Sequence, residues 1–239
     1  MGLKKMMVGL LGSVIAIGGF LEVATADLKF PMLVYRTGAY APNGIPNADG
    51  FVDYYKMINA RDGGIGGEKI VFPECETGYK TQVGVECYEK HKENAMVFQP
   101  MSTGITYQLI PKASADGVTV YSTGYGRTSA KNGKVFKWIF NAPATYWYGA
   151  SIAVRHILKQ NMGNIKGKKI ALVYHNSAYG KEPIRTLQVL AKKHGYKLML
   201  LPVDHPGQEQ KATWLKIRKQ RPNYCLLYTS DAADDANCV

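Results

Sequence analysis

Ser102, Thr103 and Gly104 follow Pro100, a proline that closes the short apolar run Met96–Phe98. The run reads as a buried strand, and the Ser-Thr-Gly after it reads as a helix start. Free backbone N–H groups and the positive end of the helix dipole gather at such a start, and a Ser or Thr hydroxyl adds a donor. This stretch therefore has the chemistry of a seat for an anion or polar ligand. The same residues also describe an ordinary N-cap, in which the Ser102 hydroxyl serves only its own helix. Deciding between the two requires the elements that surround the seat.

Those elements alternate. Strands are expected at Phe30–Arg36, Glu68–Pro73, Met96–Phe98, Val118–Ser122 and Val135–Asn141, with helices at Ala48–Ala60, Thr81–Lys92 and Gly104–Ala115. Short apolar strands between helices of this length indicate βαβ units and a parallel sheet. Right-handed crossovers then bring the loops Thr37–Gly44, Gln99–Gly104 and Thr123–Thr128 to one edge. After Ala142-Pro143-Ala144 the pattern restarts: helix Tyr146–Gln160, strand Lys169–Tyr174, helix Pro183–His194, strand Lys197–Val203 and helix Gln208–Gln220. The expected fold is α/β with two lobes, each a parallel sheet flanked by helices, the first over 27–143 and the second over 144–224. Tyr40, Ser102, Thr103, Ser122, Thr123, Tyr125, Tyr146, Trp147 and Tyr179 all fall on the strand-end loops. A small-molecule cleft needs this mixture of apolar walls and a few donors, although Tyr146-Trp147-Tyr148 reads equally well as ordinary core aromatics.

The net charge of +12 comes from Lys and Arg spread along the chain rather than clustered, which argues against a nucleic-acid partner. Catalytic signatures are missing: there is no Gly-x-Ser-x-Gly elbow, no His-Glu-x-x-His and no phosphate-binding Gly-x-x-x-x-Gly-Lys loop. His91, His156, His175, His194 and His205 never fall at i, i+4 spacing, so neither a metal site nor a cofactor is expected. His175 sits at a strand end, where a ligand contact and a structural role are both open. Cys75 and Cys87 fall at a strand end and inside the following helix, a placement that allows a disulfide in an oxidising compartment.

Both ends of the chain are read apart from the fold. Residues 1–26 join a Lys4-Lys5 start to an apolar core, Met6–Leu21, and end in Ala24-Thr25-Ala26, the pattern of a secretory signal peptide. An exported protein, periplasmic in location, is expected. Residues 225–239 begin Cys-Leu-Leu-Tyr-Thr-Ser-Asp-Ala-Ala-Asp, which resembles the translation of a sequencing-library adapter. The expectation is a non-native tail on a gene fragment whose natural protein continues; the alternative is a real terminal strand, Cys225–Tyr228.

Four segments, Thr37–Tyr40, Asn59–Gly67, Met101–Gly104 and Ile170–Gly180, together resemble the leucine/isoleucine/valine-binding type of periplasmic solute-binding protein. The resemblance runs from about Leu28 to Tyr224. It implies a hinged, two-lobed type I fold that captures a branched-chain or related amino acid and delivers it to the membrane permease of an ABC importer. By this resemblance Ser102 and the backbone of Gly124, Tyr125 and Gly126 hold a ligand carboxylate, with Ser122 and Tyr40 on the same edge. Tyr179 matches an aromatic that the second lobe brings over the ligand. Tyr125 and Gly126 stand where the family commonly shows small residues and a hydroxyl, which extends the expected ligands to aromatic or aliphatic carboxylates and amides. A sensor domain of the same fold is the alternative.

Overall fold

Two prolines set the first feature of the computed structural model, which describes residues 27–229. β1 (Leu28–Lys29) and β2 (Met32–Val34) lie along one line, as do β3 (Ile70–Val71) and β4 (Glu74–Glu76). β1 pairs with β3 and β2 with β4, both parallel, in a register that puts Pro31 opposite Pro73. Neither proline has an N–H to give to the ladder, so each line of strand is broken there. The carbonyls still serve, as when Met32 N–H donates to Pro73 O at 2.9 Å. The strand expected at Phe30–Arg36 is β2 alone and that expected at Glu68–Pro73 is β3 alone; β1 lies before the first and β4 beyond the second.

A parallel bridge from Lys29 to Ala95 carries the layer on to β5 (Val97–Phe98). Next come β6 (Thr119–Thr123) and β7 (Ile139–Ala142), again parallel. α1 (Ala41–Arg61), α2 (Thr81–His91) and α3 (Thr103–Asp116) are the crossovers. α1 begins earlier than expected because Pro42 falls in its first turn, where an N–H has no helical partner to lose. α3 presents Ile105, Leu109 and Ala113 to the core at helical spacing. It ends at Gly117, whose φ of 69° is the left-handed cap conformation. Leu33, Tyr88, Phe98, Val120 and Ile139 complete this core.

The second lobe repeats the scheme. β8 (Lys169–His175) lies between β9 (Lys197–Val203) and β10 (Tyr224–Tyr228), all parallel. α4 (Tyr146–Gln160), the short α5 (Ala178–Lys181), α6 (Ile184–His194) and α7 (Lys211–Gln220) accompany them. Val154, Ile157, Ile170, Leu172 and Leu187 form its core. β10 includes Cys225–Tyr228, the segment open to reading as a terminal strand. The expected signal peptide, residues 1–26, lies outside the described residues, as does 230–239. Among the described residues no helix is long and apolar enough to cross a membrane.

Candidate functional site

Parallel strands deliver their carboxyl ends to one edge of each lobe, and these two edges face one another. Between them is a cleft of about 410 Å³ lined by Tyr35, Tyr40, Asn43, Tyr79, Thr123, Gly124, Tyr125, Tyr146, His175, Tyr179 and Thr229. Tyr35 follows β2, Tyr79 the turn after β4, Tyr125 the end of β6, and His175 closes β8. α1 can lie on Tyr35 because Gly44 has no Cβ, which would fall 2.0 Å from Tyr35 O. Gly180 performs the same service in the second lobe: a Cβ there would meet His175 O at 2.0 Å, so glycine lets α5 dock on β8 and brings Tyr179 to the cleft.

The lining is aromatic and formally neutral. Burial pushes the Tyr79 phenol up to about 12, against the smaller opposing pull of the nearby Ser102 hydroxyl. Burial likewise raises Tyr35, Tyr146 and Tyr179 well above the ordinary phenol value. All four therefore keep their protons at neutral pH and offer O–H donors. Burial also lowers His175, helped by His205 and opposed by Asp204, so its imidazole is neutral.

Among the described residues four sets of contacts join the lobes, one of them Lys131 Nζ donating to Tyr148 Oη at 3.3 Å. Tyr40 Oη lies 3.0 Å from His175 Nε2 and 2.7 Å from His205 Nδ1, and donates to Pro206 O at 3.0 Å. Thr103 Oγ1 and Tyr146 Oη are 2.7 Å apart. On the far side Tyr107 Oη donates to the Glu182 carboxylate, which also accepts the Thr128 N–H at 3.3 Å. Burial raises the Glu182 carboxyl above its ordinary value.

Of the residues expected at the site, Tyr40, Gly124, Tyr125 and Tyr179 line the cleft. Gly124 has φ 80°, a conformation that favours glycine. Ser102 and Thr103 lie one layer behind, buried, with Ser102 Oγ capping α3 by accepting the Ile105 N–H at 3.4 Å. Ser122 is also buried and donates to Asn141 Oδ1 at 3.1 Å. Gly126 packs against that pair, since a Cβ there would fall 1.8 Å from Asn141 Oδ1. Sequence reasoning missed Tyr35, Asn43 and Tyr79 in the lining, and His205 beside it. The signal available for Tyr35 was its place directly after β2, and for Tyr79 its place in the turn that follows β4. Cys75 and Cys87 are bridged, with Cα atoms 5.8 Å apart, and close a loop that contains Tyr79. Among the described residues no group of three or more His, Cys, Asp or Glu is arranged to hold a metal.

Residues 27–239 match the sequence profile of a family described as periplasmic binding protein. Leu/Ile/Val-binding protein homolog 3 of Brucella melitensis is 27% identical over 166 residues, covering 68% of this chain and 43% of that protein. A solved structure described as an ABC transporter permease from the Pseudomonas fluorescens group is 41% identical, with TM-score 0.73, covering 85% of this chain and 51% of its own. A fatty acid ABC transporter substrate-binding protein from Thermomonospora curvata is 23% identical, with TM-score 0.75, covering 84% of this chain and 50% of its own. This chain spans about half the length of these relatives.

Proposed function

Because the chain belongs to the periplasmic binding protein family, we propose that it is the substrate-capturing component of an ABC importer, working outside the cytoplasmic membrane and passing its ligand to a membrane permease. The ligand is a small carboxylate with an apolar or aromatic body. The observation that carries this reading is the cleft itself: tyrosine rings and neutral hydroxyls at the carboxyl ends of two facing parallel sheets. Rings supply apolar walls for the body of the ligand, and phenolic O–H groups supply donors for its charged end. Capture needs no bond-making step. The first lobe, 27–143, and the second, from 144, close on the ligand by hinge motion near Asn141–Thr145, and the Tyr40–His175 and Tyr107–Glu182 contacts hold the closed form. Tyr228 and Thr229, which fall within the stretch read as non-native, carry none of this reading.

Branched-chain amino acids are the second reading, favoured by the Brucella relative named for leucine, isoleucine and valine. Titration calorimetry against valine, leucine, benzoate, 4-hydroxybenzoate and hexanoate separates the two. Tightest binding of an aromatic carboxylate supports the first, and tightest binding of valine or leucine supports the second. Binding of none of the five overturns both.

A further inference from the structure

Resting on the reading that the cleft takes a small carboxylate, we propose that Tyr79 and Tyr146 are the donors that hold it, and that Ser102 and Thr103 are positioning residues acting through them. The argument starts from the layering at the head of α3. Ser102 and Thr103 are 2% and 0% exposed and do not reach the cleft surface. Tyr79 and Tyr146 do line it. Thr103 Oγ1 meets Tyr146 Oη at 2.7 Å, and Ser102 Oγ, already accepting the Ile105 N–H, keeps its own proton beside the Tyr79 phenol. A hydroxyl has one proton and two lone pairs, so a phenol that accepts from Ser or Thr keeps its O–H for the cleft. Ser102, bonded to the Ile105 N–H, sits in the positive field of the helix start, and Thr103, the first residue of that helix, passes its polarity to Tyr146 through the single 2.7 Å bond.

The backbone at Tyr79 supports a built position rather than an incidental one. Its φ is 62°, a left-handed conformation uncommon for a bulky residue. The ring is wedged against Tyr35 at 4.9 Å and Tyr40 at 4.4 Å between centroids. An ordinary φ would move the ring from its place between Tyr35 and Tyr40. Two phenolic donors suit the two acceptor oxygens of a carboxylate and suit an amide less, because the amide nitrogen presents donors of its own.

Titration of the chain with benzoate, valine and benzamide tests this. Tyr79→Phe and Tyr146→Phe keep the ring packing; each is expected to weaken whichever carboxylate the parent protein binds by about 10-fold or more, with a smaller loss for benzamide. Ser102→Ala is expected to weaken the carboxylate in the parent protein but not in the Tyr79→Phe background. Thr103→Val is expected to reproduce the Tyr146→Phe loss, and Thr103→Ser to restore binding. Equal losses for Ser102→Ala in both backgrounds, or unchanged carboxylate binding in both Phe variants, would overturn the assignment. A parent protein that binds neither benzoate nor valine would overturn the carboxylate reading and this inference together, a failure visible before any variant is made.

Discussion

The Tyr40 hydroxyl lies 3.0 Å from His175 Nε2, joining the start of α1 to the end of β8 across 135 residues of sequence. The other side of the same imidazole, Nδ1, meets Ser177 Oγ at 2.7 Å, and His205 reaches the same phenol. His175 is thus locked at both nitrogens when the lobes are together. Its neighbours are Tyr40, Ser177, His205 and Asp204; burial chiefly, with His205 adding to it, disfavours its cation, and Asp204 partly offsets them. A base whose pKa is lowered in the closed form binds fewer protons closed than open. Closure is therefore favoured above the ordinary histidine value near 6.5 and penalised progressively as pH falls below it. Ligand affinity measured by calorimetry from pH 8 to pH 5 is expected to fall on the acid side, and His175→Gln is expected to flatten that fall. An unchanged slope in the variant assigns the dependence elsewhere.

Glu182 anchors the opposite side with a different sign. Tyr107 and the Thr128 N–H donate to its carboxylate, and Trp147 Nε1 donates to its carbonyl at 3.2 Å. Burial raises its pKa, so the closed contact takes up a proton more readily than free carboxylate and acid does not weaken it through this group. Glu182→Ala removes the acceptor for two donors and is expected to cost about 1–3 kcal/mol, read from urea unfolding. Glu182→Gln keeps the shape, with its carbonyl oxygen accepting the Thr128 N–H and its amide N–H donating to a reoriented Tyr107 hydroxyl, and should retain most of that stability.

Gly180 offers a test of how Tyr179 is positioned. A Cβ at 180 meets His175 backbone atoms at 2.0 and 2.8 Å, and backbone cannot step aside as a side-chain end can. Gly180→Ala is expected to destabilise by about 1–3 kcal/mol and to weaken ligand binding by shifting Tyr179. Gly133→Ala, where a Cβ would meet nothing within 4 Å, is the control, with an expected change within about 0.5 kcal/mol. Equal melting temperatures for both variants would remove the packing argument.

Where the sequence carried its own punctuation, the fold was legible. α4 and β9 fall at Tyr146–Gln160 and Lys197–Val203, as periodicity and flanking residues indicate. Prolines misled in two ways. Pro42 reads as a loop residue yet sits where a helix tolerates it, and the facing pair Pro31 and Pro73 interrupts a ladder that apolar patterning presents as continuous. At the site, the strand-end edge was legible because crossover handedness fixes it, which is why Tyr40, Gly124, Tyr125 and Tyr179 fall on the cleft. Depth was not legible. Whether Ser102 meets a ligand or another side chain depends on Tyr79, a residue in the four-residue turn between β4 and α2 whose left-handed φ no residue type announces. Tyr35 was hidden similarly, as one more aromatic at the end of an apolar strand.

The Cys75–Cys87 bridge joins these points, because it closes β4 onto α2 around the turn that carries Tyr79. Its sequence separation of 12 places the loss of chain entropy avoided in the unfolded state at about 3 kcal/mol. The double substitution Cys75→Ala, Cys87→Ala is expected to lower stability by about that amount in denaturant unfolding. A second consequence is local: with the turn released, nothing covalent opposes relaxation of Tyr79 out of its left-handed conformation, and its phenol withdraws from Ser102. Preference for a carboxylate over its amide should therefore drop in the double variant at temperatures where it remains folded. Loss of stability with the preference intact would show that the Tyr35 and Tyr40 rings alone hold Tyr79 in place. Labelling of both native cysteines by a thiol reagent in the oxidised, denatured protein would remove the bridge from the account altogether.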